Sequence, residues 1–289
     1  MDQMLDRLGG ASFPLLWVVL FGLMLLAATV GRGLRARMGR SKADDSDGKG
    51  GQEDLVLSAV LGLLALLLGF TFSIAVDRYE ARRHLVLEEA NVIGTAYLRA
   101  QLLEEPHRTR MSNLLVRYTD TRLALAKASP DQVRALIRTN DALVTQIWGA
   151  VKASFPTIRT SAFSAAYLQA INSMIDIGSA RVVARLARVP FAVIAVLFVY
   201  TLTTAAVLGY VLKGPRSRRV ASFLLGLLSL ALVLIVDINR PVAGAVREGQ
   251  GPMESLRRTL DTWRPAAFDE APNAQPAVRA SAQRPVAAP

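Results

Sequence analysis

The stretch GFTFSIAVDRYEARRHLVLEEANVIGTAYLR, Gly69 to Arg99, decides the fold. Its opening residues, Gly69 to Val76, carry no charge. Asp77, Arg78, Glu80, Arg82 and Arg83 then follow with neither Gly nor Pro among them to interrupt a helix. Upstream, Leu55–Val76 has the length of a membrane span, for which ~18 or more apolar residues suffice. One helix therefore leaves the hydrocarbon and enters a block of both charges, a span and a first soluble helix together reaching roughly 75 Å.

Three further runs have the same character: Phe13–Val30, Phe191–Leu212 and Val220–Val236. None has an ionisable residue in its interior. The chain is 52% hydrophobic, only slightly above the ~45–50% of soluble domains, so the distribution and not the mean identifies a membrane protein. The first run reads as a retained anchor. Asp2, Asp6 and a single Arg7 precede it and Arg32, Arg35 and Arg37 follow it, the reverse of a signal peptide's charge order.

The expected layout is an N-terminal segment 1–12, spans at 13–30, 55–76, 191–212 and 220–238, a polar loop 31–54 and a helical region 77–190. A basic loop 213–219, a structured segment 239–264 and a disordered Ala/Pro-rich tail 265–289 complete it. The fold class is all-α: four transmembrane helices with a juxtamembrane four-helix bundle extending spans two and three.

The bundle follows from periodicity. Val86, Ala90, Ile93 and Tyr97 make one apolar stripe. Pro106 suits the start of a second helix, whose stripe is Leu114 or Leu115, Tyr118 and Leu125. Ser129–Gln132, SPDQ, is a capping box with Pro at the first helical position. Val133, Leu136 or Ile137, Asn140, Val144, Ile147 and Val151 follow, and Phe155-Pro156 is expected to end that helix. The last helix carries Phe163, Tyr167, Ala170 or Ile171, Met174, Ile177 and Val182. An even count returns the chain to the membrane face it left. Pro252 begins a short helix ending near Trp263.

Several function classes are excluded. There is no Cys, so disulfides, thiolate metal sites and thiol nucleophiles are ruled out, and two His make a His-rich metal site improbable. No nucleophile elbow, H-E-x-x-H or dinucleotide fingerprint is present, so no enzyme, cofactor or metal is expected. The formal charge is +11. Much of its Arg borders spans, which points to topology and lipid headgroups and not to nucleic acid. The short loops after spans one and three hold Arg32, Arg35, Arg37, Arg40, Lys42, Lys49, Lys213, Arg216, Arg218 and Arg219. In a bacterial inner membrane that count places the bundle outside the cytoplasm, against Arg78, Arg82, Arg83, Arg181, Arg185, Arg188, Arg240 and Arg247 at the opposite ends.

Three constellations stand out. Within span two, Ser58, Gly62, Ala65, Gly69 and Ser73 form a stripe of small residues. It reads either as a helix-packing face or as a pore lining with Phe70 or Phe72 as the constriction. Spans two and four end on one membrane face and bring Asp77, Arg78, Asp237 and Arg240 to one depth, with Arg188 nearby. Asp77 with Arg240, and Asp237 with Arg78 or Arg188, would clamp the bundle to the membrane or ring an ion vestibule. In the bundle, Arg82, Arg83, Glu88, Glu89, Asn172, Asp176 and Arg181 form a polar cluster, with Arg185 as a further partner and Glu80 spaced to pair with His84. Interhelical salt bridges and a Ca²⁺ site are its two readings.

Gly69–Arg99, LQAINSMIDIGSARVVARLARVP (Leu168–Pro190) and VDINRPVAGAVREGQGPM (Val236–Met253) together resemble the bacterial bestrophin-like membrane family. The resemblance runs from span two to Met253. It implies distant similarity to bestrophins, pentameric anion channels whose constricted pore is lined by the second span. No catalytic residue comes with it. The expected function is a homo-oligomeric ion channel, passive because no ionisable group lies at mid-bilayer. The alternative is a non-conducting scaffold or sensor whose bundle binds a partner. Lipid, further copies of the chain and inorganic ions are the expected partners.

Overall fold

In a computed structural model of the chain, residues 12–38, 49–212, 214–240, 244, 246 and 248–269 are described. All the described elements are helices. They are α1 Phe13–Met38, α2 Lys49–Ala100, α3 His107–Lys127, α4 Pro130–Ile158, α5 Phe163–Leu186, α6 Phe191–Val211, α7 Pro215–Ile238, α8 Gly251–Thr262 and α9 Pro265–Asp269. The chain is an all-α membrane protein, with four helices long and apolar enough to span a bilayer. Two compact units divide it: Met1–Leu85 with Ser179–Gly249, and Val86–Gly178 with Gln250–Pro289. Helix α2, 52 residues long, is uninterrupted from Lys49 to Ala100, roughly 78 Å.

The expected loop 31–54 is shorter than its polarity suggests. α1 continues to Met38 and α2 begins at Lys49, while residues 39–48 lie outside the described part. Arginine favours helix and suits a helix C-terminus. Arg35 Nη1 also reaches the carbonyls of Tyr210 at 2.6 Å and Val211 at 3.1 Å, groups left unpaired where α6 ends. The expected loop 213–219 is likewise mostly helix. Pro215 occupies the first helical position of α7, after Gly214 at φ +87°.

In the membrane unit α1 packs on α6 and α7. Met24, Leu64, Leu197, Leu208, Leu225, Val233 and Ile235 are buried. The α1–α6 crossing depends on two glycines. A Cβ at Gly31 would overlap the Ala206 carbonyl, and one at Gly209 would overlap the Ala28 backbone. Backbone approach of this kind is what small residues permit between membrane helices. Five Ser and Thr hydroxyls of these spans turn back onto their own helices. Thr71 donates to Leu67 O, Thr201 to Leu197 O, Thr203 to Val199 O, Thr204 to Tyr200 O and Ser229 to Gly226 O. Such bonds satisfy them without water, so the Thr-rich stretch of α6 is polar in composition only.

In the bundle unit Val86, Ile93 and Tyr97 of α2 meet Met111, Leu115 and Tyr118 of α3. Ile147 and Val151 of α4, and Tyr167, Ile171 and Met174 of α5, complete that core. The capping box forms, with Gln132 Oε1 accepting the Ser129 N–H at 3.3 Å. Two expectations for α4 fail. Its stripe is fully buried only from Leu143 onward, with Val133 and Leu136 half-buried and Ile137 exposed. Pro156 lies inside α4, which closes at Ile158, because a missing amide so near the helix end removes little.

α8 is a further wall of this core, through Met253, Leu256 and Leu260. Trp263 stacks on Tyr97 with ring centroids 6.4 Å apart, and the Tyr97 hydroxyl donates to Trp263 O. The tail expected to be disordered from 265 begins as helix α9. Arg108 grips both oxygens of Asp269, at 2.6 and 2.8 Å, a tertiary partner that composition cannot reveal. Residues 270–289 lie outside the described part.

Two outcomes test this packing. Gly209→Ala should cost about 1–3 kcal/mol, because backbone must move. Gly62→Ala, where a Cβ meets nothing within 4 Å of the chain, should leave monomer stability unchanged or raise it by about 0.5–1 kcal/mol. Unfolding in mild detergent compares them, and equal effects would refute the crossing. Separately, Arg108 holds the carboxyls of Asp269 and Glu105 below the usual range, chiefly by hydrogen bonding. A lowered carboxylate stabilises above its unfolded pKa and loses that contribution as pH falls through the folded value. The α9 contact should thus be complete above about pH 4 and release on further acidification. Trp263, edge-on to Phe268 at 6.4 Å, reports this by fluorescence once Trp17 and Trp148 are replaced by Phe. An emission unchanged down to pH 2.5 (roughly 1.5 units below the unfolded value) would contradict it.

Candidate functional site

Helix α2 carries three faces in the membrane unit. At about 100° per residue, Leu57, Leu64, Leu68, Thr71 and Ala75 fall on one side, and all are buried. Ser58, Gly62, Ala65, Gly69 and Ser73 fall on a second side, and every one is exposed. Among the described residues the small-residue stripe is therefore not a packed face. Leu63, Leu66, Phe70 and Ile74 make a third, apolar and exposed face.

The two constriction candidates separate on this geometry. Phe72, 41% exposed, sits at the margin of the small-residue face. Phe70, 62% exposed, lies about 160° round the helix from Phe72, on the apolar face.

The juxtamembrane charges assemble differently from the expected pairs. Asp77 and Arg188 are exposed, Arg78 and Arg240 are half-buried, and Asp237 is buried. No ion pair joins Asp77 to Arg240 among the described residues. Arg240 instead feels Asp237, three residues before it, while burial draws it below the ordinary arginine range. Asp237 Oδ2 accepts the Val246 N–H at 3.0 Å and Asn239 Oδ1 accepts that of Val189 at 2.7 Å. Arg82, expected in the bundle cluster, belongs to this centre. Its Nη2 donates to Ile238 O at 3.0 Å and its Nε stands 2.8 Å from Glu248 Oε1.

In the bundle unit the partner of Glu89 is Arg122, a residue sequence reasoning passed over. Glu89 is fully buried and Arg122 nearly so, with Nε 2.5 Å from Oε1. Tyr118 Oη lies 3.4 Å from the same oxygen, and Arg122 Nη2 donates to Gly178 O at 3.3 Å. A Cβ at Gly178 would collide with the Tyr118 hydroxyl. The missed signal is an arginine in register with the apolar stripe, four residues after Tyr118. Of the rest, Arg181 is buried, Glu88 half-buried, and Asn172 and Asp176 exposed. Arg83 lies 3.8 Å from Glu80, the acid expected to pair with His84. Among the described residues no three carboxylate or imidazole groups gather to hold a metal.

A family model described as the Bestrophin-like domain matches residues 18–253. It includes most of the first span, which the quoted resemblance left out. Among solved structures, a bacterial bestrophin homologue from Klebsiella pneumoniae, seen in two point variants, aligns with TM-scores of 0.64 and 0.62 at 15% and 16% identity. Each alignment covers 84% of this chain and 97% of the other. The same homologue solved by zinc phasing gives 0.59 at 16% identity, over 85% and 96%. At these identities the likeness establishes the fold. Among curated proteins, none matches the sequence.

The buried pair gives a testable outcome. Glu89→Leu or Arg122→Leu alone should cost about 3–5 kcal/mol by stranding the other charge. The double Leu variant should recover most of that loss, as measured by unfolding in detergent. A double variant as unstable as the sum of the singles would show that the two charges are not coupled.

Proposed function

Because the chain belongs to the bestrophin-like family, we propose that it forms a homo-oligomeric ion channel in a bacterial inner membrane. Ions pass beside the small-residue face of α2, and Phe72 narrows the path. The observation that carries this reading is that Ser58, Gly62, Ala65, Gly69 and Ser73 all stay exposed although the opposite side of α2 is packed. The apolar face with Phe70 suits lipid or a neighbouring copy, which leaves the small face for a path between copies. Conduction is passive, since the midplane of each span lacks an ionisable group.

On the charge count of the short loops, the bundle faces away from the cytoplasm. The chain has no cysteine, so a single one at exposed Ala142 reads the side directly. Labelling by an impermeant maleimide in intact spheroplasts supports this orientation, and labelling only after lysis reverses it.

Purified protein in planar bilayers under asymmetric chloride salt should show single-channel steps. Phe72→Ala should raise conductance several-fold, and Phe70→Ala should change it less than about twofold, given the ~160° between them. Equal effects would remove Phe72 as the constriction. Silence from folded wild-type protein at all voltages would favour the scaffold reading, with the bundle as the binding part.

A further inference from the structure

Past the end of α7 the chain folds back on three buried or half-buried arginines that its own acids do not exhaust. Arg82 is 3% exposed, Asp237 2%, and the Glu248 side chain 10%. Asp237 is committed to the Val246 amide, and Glu248 stands against Arg82 Nε. Gly244 closes the turn by donating to Arg240 O at 3.2 Å, where a Cβ would lie 3.2 Å from Asp237 Oδ2. Arg78 lies one helical turn before Arg82 and so shares its face of α2.

Beside the C-terminal end of α7, and apart from Arg82 Nε in its ion pair with Glu248, three guanidinium nitrogens are shielded from solvent and lack a hydrogen-bond partner: Arg78 Nε, Arg82 Nη1 and Arg240 Nη1. Buried donors are nearly always paired, and a buried charge needs a counter-charge. Among the described residues here, three arginines against Asp237 and Glu248 leave one positive charge over. Other charged groups nearby do not cancel it. Arg83 stands with Glu80, both more than half exposed, and Asp77 and Arg188 are exposed. Burial also draws Arg240 below the usual arginine range against the pull of Asp237, as expected of a cation short of a partner.

We infer that Arg78, Arg82 and Arg240 hold a small monovalent inorganic anion of the halide class between the C-terminal end of α7 and the Arg78–Arg82 turn of α2. Arg82 Nη1 and Arg240 Nη1 are its main donors and Arg78 Nε the third. A phosphate from a lipid headgroup offers guanidinium the same chemistry, and the test separates the two sources. The site is a property of the folded chain and does not depend on conduction.

Crystals of the full chain grown in sodium bromide should give an anomalous peak in contact with Arg82 Nη1 and Arg240 Nη1. A tetrahedral non-anomalous group there would assign the site to a headgroup, and water alone would show that no anion is held. Either result overturns the inference. In detergent at constant ionic strength, replacing gluconate by chloride should raise the unfolding midpoint by about 3 °C. Arg240→Gln, at a half-buried position that tolerates the change better than Arg82, should abolish that rise, and its midpoint in gluconate should lie at or above that of wild type because an unpartnered guanidinium is removed. An Arg240→Gln protein that keeps the full chloride response would refute the assignment. A bromide peak together with silent bilayers would keep the site and dismiss the channel, so the two readings fail separately.

Discussion

Everything else in this chain is arranged around the need to satisfy backbone hydrogen bonds where water is absent. Inside hydrocarbon only a helix can do this within one segment, and α2 does it for 52 residues without a break. The same constraint explains why Thr71, Thr201, Thr203, Thr204 and Ser229 all bond to carbonyls of their own helix. It also explains the Arg35 contacts, since the last carbonyls of α6 have no partner within the helix.

That constraint divides labour among the membrane helices. α1, α6 and α7 use their small residues internally: Gly31 and Gly209 sit so close to a neighbouring backbone that no side chain fits. α2 has equally small residues, and among the described residues they do not form a packed face. The contrast matters because small residues alone say nothing. Their value depends on whether a neighbour has come near enough to need them. In α1 and α6 a neighbour has, and on this face of α2 none of the described residues has.

How much of this could be read in the sequence depends on the range of the interaction. The four spans, the Val86–Tyr97 stripe and the Ser129 capping box depend on residues within a turn or two of each other, and periodicity exposes them. Glu248 against Arg82 joins residues on either side of the whole bundle, and no local pattern marks it. Arg122 was half-legible: it stands on an apolar stripe, yet its partner Glu89 lies on another helix. α9 was hidden for the opposite reason. Its five residues look like the start of a low-complexity tail, and only the Arg108 fork on Asp269 fixes them. Loop 31–54 is shorter at both ends than its polarity implies, because arginine and lysine are sound helix formers.

The two buried arginine centres separate structural charge from charge left open. In the bundle unit Arg122 faces a single carboxylate, has a carbonyl for its Nη2 and has Tyr118 beside it. A buried pair of this kind can be exchanged for apolar residues at small cost. In the membrane unit the count does not close. Arg82 has its carbonyl and its carboxylate and still keeps Nη1 buried and unpaired, and Arg240, just past the end of α7, keeps its Nη1 buried and unpaired as well. A centre serving only to fasten the end of α7 would be more stable with an apolar residue at one of these positions, because an unpartnered guanidinium group is costly to bury. Asp237 and Asn239 already fasten that segment through backbone amides. The surplus arginines are therefore unnecessary to the fold as it stands, and their excess positive charge is what an anion would complete.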